Sequence, residues 1–178
     1  MRFTLHCMFL GGLVAALPLP AAGHIVFAEP QAQAGSYYAG FLRVSLGCGA
    51  SDTVSVRISI PEGVASARPQ PKPGWNLNIE RVPLATSIKD EGGRVIKDRV
   101  AAITWIGRLS ADQFDQFGVM MKLPASAGPL YFPVEQTCVS GMSRWVNIPA
   151  PGQAWHSIPD PAPMIELIAP DDMQGMHH

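Results

Sequence analysis

Apolar and polar residues alternate with period two over several short stretches of the chain, the pattern of strands buried on one face. In residues 37–46, Tyr38, Leu42, Val44 and Leu46 fall on one side and Arg43 and Ser45 on the other. Residues 53–60 alternate more regularly, which predicts Val54, Val56, Ile58 and Ile60 inward and Ser55, Arg57 and Ser59 outward. Trp75, Leu77 and Ile79 alternate with Asn76, Asn78 and Glu80. Strands are also expected at residues 24–27, at 100–106 around Trp105, and through Phe117, Val119, Met121 and Leu123. The last three are expected at residues 130–137, 144–148 and 164–168. Pro133 interrupts the first of these and predicts an edge or a bulge. Residues 109–117 break the period. There Ser110 and Gln113 predict a capping box on one helical turn, with Leu109 stapled to Phe114.

Turn residues separate these runs. Pro69-Gln70-Pro71-Lys72-Pro73-Gly74 reads as an extended connector, and Asp90-Glu91-Gly92-Gly93 as an exposed hairpin or loop. About eight or nine short strands between such signals predict an all-β domain. A two-sheet β-sandwich is the economical solution, because each sheet needs a partner for its apolar face.

The first 23 residues stand outside this pattern. They carry one charge, Arg2, then an apolar run over residues 9–19, then small Ala21 and Gly23 at −3 and −1 of a cut before His24. That is the plan of a secretory signal peptide. The run is shorter than the ~20 residues of a spanning helix, so no membrane span is expected after removal. The expected division is therefore a leader at 1–23, a sandwich domain at 24–170 and a Met/His tail at 171–178, in a periplasmic or extracellular protein. A cut after Ala22 would instead leave Gly23 in front of the histidine. Cys48 and Cys138 are the cysteines that survive the cut, an even pair in an oxidising compartment, and a Cys48–Cys138 disulfide is expected. The formal net charge is −1 and no basic cluster stands in the sequence, which argues against nucleic acid or an anionic membrane surface as partner.

Cleavage before His24 would place a free α-amine and an imidazole on one residue. The amine has an ordinary pKa of about 7.7–8, so a metal displaces its proton readily. Ring closure from the amine to Nδ1 gives a six-membered chelate, and nitrogen ligands of this kind suit Cu(II). The bland alternative is a terminal histidine in solvent. If the first strand pairs antiparallel with residues 37–46, His24 lies near Leu46 and Gly47, beside the loop that carries Asp52. The disulfide would bring Cys138 to the same end. Trp145 is expected there too, turned outward if Val146 and Ile148 pack inward. Asp52 is thus the candidate carboxylate ligand, with Glu29 as the fallback. For Asp52 the commoner role is capping a turn, and for Trp145 ordinary packing. His156 reads as a surface or packing residue. Met173, Met176, His177 and His178 offer soft sulfur and imidazole ligands on an otherwise untethered tail.

One set of motifs runs in order along the first half of the domain: Gly23-His24-Ile25-Val26, Ala34-Gly35-Ser36-Tyr37-Tyr38, Gly47-Cys48, Ile60-Pro61-Glu62-Gly63-Val64 and Pro71-Lys72-Pro73-Gly74-Trp75. It continues through Ile103-Thr104-Trp105, Phe114-Asp115-Gln116-Phe117, Leu130-Tyr131-Phe132-Pro133-Val134, Gln136-Thr137-Cys138 and Arg144-Trp145-Val146. In these stretches the chain resembles the YcnI-like family of exported copper-binding proteins. The resemblance implies an immunoglobulin- or cupredoxin-like sandwich holding one Cu(II) through the amine and ring of the mature N-terminal histidine, with an acidic residue and a tryptophan nearby. His24 and Trp145 carry over. The acidic ligand does not, since Gly47-Cys48-Gly49-Ala50-Ser51-Asp52 offers no matching glutamate. The resemblance implies a copper chaperone or store working beside another exported copper carrier, and not an enzyme. Two other readings stand beside it: a histidine-brace copper oxidase or monooxygenase, which would need a second histidine such as His156, and a metal-free interaction sandwich.

Overall fold

The computed structural model describes residues 24–90 and 92–170. The proposed leader and the Met/His tail lie outside the described residues. Among the described residues twelve strands form in chain order: β1 (Val26–Phe27), β2 (Gln31–Gln33), β3 (Tyr37–Val44), β4 (Thr53–Ser59), β5 (Ser66–Pro69) and β6 (Asn76–Lys89) come first. They are followed by β7 (Val95–Leu109), β8 (Asp115–Lys122), β9 (Gly128–Tyr131), β10 (Val134–Cys138), β11 (Met142–Trp145) and β12 (Met164–Ile168). One sheet runs β1-β3-β8-β5 and a second runs β11-β10-β4-β7-β6. The all-β sandwich expected from the alternation is the fold observed. A small third sheet, β2-β12-β9, is added to it, and there β12 pairs β2 in parallel.

The two large sheets meet through aromatic side chains. Trp105 of β7 is fully buried, and its ring centroid lies 5.3 Å from that of Phe117 of β8 in the opposite sheet. Trp75 stands edge-on to the same Phe117, with centroids 5.0 Å apart. The Trp105 indole N–H donates to the Gln70 carbonyl at 3.2 Å, so the ring enters the core with its polar atom satisfied. Tyr38, Leu42, Val44, Val56, Ile58, Ile60, Phe117, Val119, Met121 and Leu123 all point inward, as the period-two pattern predicts.

Several local expectations are corrected. Leu46 lies beyond the end of β3 and is exposed. A register shift between Thr53 and Ser55 turns Thr53 into the core and leaves Val54 only partly buried. No helical turn forms after Leu109. The Ala111 N–H goes to the Asp52 carboxylate, Gln113 closes a turn onto Ser110, and Phe114 is exposed instead of stapled. Pro133 is more than an interruption, because β9 and β10 on either side of it belong to different sheets. Leu77 and Ile79 pair with the inner-face residues Trp105 and Ile103 yet remain exposed. β6 is an edge strand, and the facing edge strand β5 has only four residues with which to cover it.

Candidate metal centre

β1 runs antiparallel to β3, with Val26 opposite Arg43 and Phe27 opposite Leu42. Carried two residues back, this register sets His24 level with Ser45, at the end of the sandwich where the sequence argument placed it. Ile25 is buried beside it and anchors the backbone, while the His24 side chain stays partly exposed. Its ring meets the indole of Trp155 edge-on, with centroids 5.8 Å apart and planes at 80°.

Trp155 opens a single 3₁₀ turn, Trp155–Ser157. Its indole N–H donates to the Ala162 carbonyl at 2.7 Å, and the Ala162 N–H donates to the Asn147 carbonyl at 2.8 Å. The Asn147 side-chain amide donates to the Pro159 carbonyl, also at 2.8 Å. These bonds fold residues 147–162 into a compact loop. The same indole stands 4.8 Å, centroid to centroid, from the His156 ring, with planes at 81°. One indole is therefore in contact with two imidazoles. Neither Trp155 nor this neighbourhood for His156 is expected from the sequence, because residues 149–163 have no period from which to assign a face.

Trp145 is not at this surface. It sits opposite Val134 in the β10–β11 pair and is buried within the apolar core. The expectation that it faces outward is thereby corrected. The strand ends at Trp145, so no alternation carries on to Ile148, which is exposed.

Asp52 is already engaged. Its carboxylate accepts from Arg108 Nε at 2.9 Å, from Arg108 Nη2 at 2.6 Å and from the Ala111 backbone N–H at 3.0 Å. The Ala111 amide and then the Arg108 guanidinium hold this carboxyl below its ordinary value of 3.8. The Asp52 carbonyl accepts from the Val139 N–H at 2.9 Å. Asp52 thus ties the Cys48 loop to the end of β7 and to the residue after β10, in the turn-stabilising role that is the commoner one for aspartate in a loop.

Cys48 and Cys138 form the expected disulfide, with Cα atoms 6.0 Å apart. Beneath it, Gln136 is fully buried and donates from Nε2 to the Leu46 carbonyl at 2.8 Å and to Thr53 Oγ1 at 2.6 Å. The buried Gln136 Oε1 has no hydrogen-bond partner. Disulfide, glutamine and Asp52 clamp tie down the loop between β3 and β4, the floor of this end of the sandwich.

Glu29, the fallback ligand, is exposed, and its carbonyl accepts from the Tyr38 hydroxyl. Burial, with the nearby Glu29 charge, pushes the Tyr38 hydroxyl up to about 12. Among the described residues, no group of three or more His, Cys, Asp or Glu side chains comes together. What comes together through ring contacts is His24, Trp155 and His156.

The family model named domain of unknown function DUF1775 matches residues 24–167. The chain belongs to the DUF1775 family. The DUF1775 match opens on His24, two residues before β1. Among solved structures, an uncharacterized protein from Nocardia farcinica, whose crystal structure revealed an immunoglobulin-like fold, is 25% identical with a TM-score of 0.58. The alignment covers 81% of this chain and 97% of that one. No curated protein matches the chain. The immunoglobulin-like character of this DUF1775 sandwich agrees with that relative.

Proposed function

We propose that this DUF1775 protein is an exported copper-binding protein of the YcnI-like kind. It holds one Cu(II) as cargo through the α-amine and imidazole of His24, once cleavage has made His24 the first residue. The observation that carries this reading is the position of His24: partly exposed, fixed at one pole by the buried Ile25, and the first residue of the family match. Two nitrogens of one residue form a chelate without help from other side chains. The want of a three-residue ligand cluster among the described residues is therefore compatible with it.

In this reading the aromatic neighbour is Trp155, not the buried Trp145. Its edge-on ring covers one side of the imidazole and limits water there. Asp52 positions the floor, since its carboxylate is bound to Arg108 and Ala111. The remaining coordination positions fall to water or to the carrier that gives or takes the ion, which suits a chaperone or store better than a closed site. The cysteines agree with export, because a disulfide persists in an oxidising compartment. Equilibrium dialysis of the form beginning at His24 should show one Cu(II) per chain, lost in His24→Ala with the fold retained. Equal binding by the two would remove His24 as the ligand, and no specific binding by either would leave an interaction sandwich without metal.

The copper oxidase reading retains one supporting observation, the contact of His156 with the same indole. Peroxide-dependent oxidation of polysaccharide by the copper-loaded protein, abolished by His156→Ala, would favour it over the carrier.

A further inference from the structure

β6 closes one side of the five-stranded sheet, and no further strand lies beside it among the described residues. It is fourteen residues long, and none of them is buried. Leu77 and Ile79 stand opposite Trp105 and Ile103, so they face the inner side of the sheet, yet both are exposed. An edge strand presents a row of unpaired backbone N–H and C=O groups, and proline, lysine or a bulge is the usual means of blunting it. From residue 74 to residue 82 there is neither proline nor lysine. The register shift at Glu80–Arg81 leaves its extra residue, Ala101, in β7, so β6 itself runs on regularly.

This open run is bounded at both ends. Before it, the Trp75 N–H closes a turn onto the Lys72 carbonyl at 3.1 Å, with Gly74 at φ 76°. After it comes Pro83, which has no N–H to offer. The two charges of the run are met within the chain. Glu80 accepts from Arg57 Nη2 at 2.8 Å, and Arg81 Nη1 donates to Asp98 at 2.7 Å. What the edge leaves open is therefore backbone and apolar side chain, which suits another strand.

We infer that β6 is a dimer interface, at which two copies of this chain join edge to edge, antiparallel, about a two-fold axis through Asn78. An axis perpendicular to the sheet keeps the inner face of both copies on one side, so residues that face each other have numbers with an even sum. Among those registers the one centred on Asn78 fits the sequence best. Leu77 of each copy then faces Ile79 of the other, Asn76 faces Glu80 and Trp75 faces Arg81, so no like charges meet. Centring on Ile79 sets Leu77 against Arg81, and centring on Glu80 sets that carboxylate against itself. Centring on Leu77 shortens the paired run to residues 75–79. Self-complementarity in charge and apolar pairing favours a second copy over a foreign strand. In the dimer the two five-stranded sheets become one, and the Leu77 and Ile79 side chains cover each other where the four-residue β5 does not reach. The paired run, residues 75–81, spans ~23 Å. That is a small contact, which sets association in the micromolar range. It uses neither His24 nor Trp155 and is independent of the copper proposal.

The test is sedimentation equilibrium of the purified protein, without added metal, from about 1 to about 500 µM. The mass should rise from one chain towards two across that range. The double variant Leu77→Lys/Ile79→Lys changes two exposed side chains and should weaken dimerisation about tenfold or more. Val139→Lys/Ile148→Lys makes the same charge change at exposed apolar positions away from β6 and should stay within about twofold of the parent. Circular dichroism checks that each variant is folded. The register has its own test. Asn78→Cys sets a thiol opposite its own copy, at the ~4.5–5.5 Å Cα spacing that a disulfide spans. Mild oxidation should link those chains in pairs, and should link Val82→Cys, which faces Gly74, roughly tenfold less. If the double lysine variant does not fold, the two cysteine variants decide. A protein that stays monomeric up to the highest concentration overturns the proposal and leaves the edge to a strand of another protein. Dimerisation unchanged in Leu77→Lys/Ile79→Lys overturns it too, as does linkage of Val82→Cys as ready as that of Asn78→Cys.

Discussion

The imidazole of His24 and the indole of Trp155 meet edge to face, with ring centroids 5.8 Å apart. The contact joins the first strand of the sandwich to the compact loop before β12, two segments far apart in sequence. If His24 holds Cu(II), a paramagnetic ion stands close to one particular tryptophan of the four in the chain. Adding one equivalent of Cu(II) to the form beginning at His24 should quench tryptophan emission. Trp155→Phe should remove the larger part of that quenching, and Trp145→Phe much less of it. Quenching carried by Trp145 would contradict the arrangement.

The disulfide closes a loop over a sequence separation of 90, so it limits the unfolded chain strongly. Cys48→Ser should cost ~2–4 kcal/mol in denaturant unfolding. The same loss is expected for Cys138→Ser, and the double variant should cost little more than either, because the two residues act as one bond. Larger losses in the double variant would mean that the Cys48 backbone or the buried Gln136 depends on more than the bridge.

Asp52, like Asp90, contributes to the acid limb of stability. Its carboxyl lies below its ordinary 3.8 in the folded chain, so the folded state favours the charged form. The stabilisation is full above that ordinary value and is lost as pH falls through the lower folded value. Thermal midpoints followed from about pH 6 to about pH 2.5 should therefore fall in the parent and flatten in Asp52→Asn at the acid end. Asp52→Asn should also lower the midpoint at neutral pH while leaving Cu(II) stoichiometry at one. Loss of copper from this variant with the fold intact would return Asp52 to the role of ligand.

Much of the sandwich was legible in the chain because a strand facing a core writes its period directly into the sequence. Residues 117–123 are the clearest case: Phe117, Val119, Met121 and Leu123 are all buried. The Cys48–Cys138 bridge followed from counting cysteines against compartment. Where reading failed, a local event had changed the phase. A register shift at Thr53 reversed which of two neighbours faces inward, and Trp145 was assigned to the wrong face by assuming the phase of Val146 and Ile148. The site was less legible than the fold. His24 could be singled out because its chemistry depends on its own backbone nitrogen. Trp155 and His156 lie in an aperiodic loop held by backbone carbonyls, which leaves no pattern to read.

The central claim is that a terminal amine and its own imidazole hold the copper. The most direct measurement is an electron paramagnetic resonance spectrum with one equivalent of Cu(II), taken on two preparations verified by mass spectrometry, one beginning at His24 and one carrying a single extra glycine before it. The account predicts a well-defined nitrogen-coordinated Cu(II) signal in the first, lost or replaced by a different spectrum in the second. Identical spectra from the two preparations would contradict it.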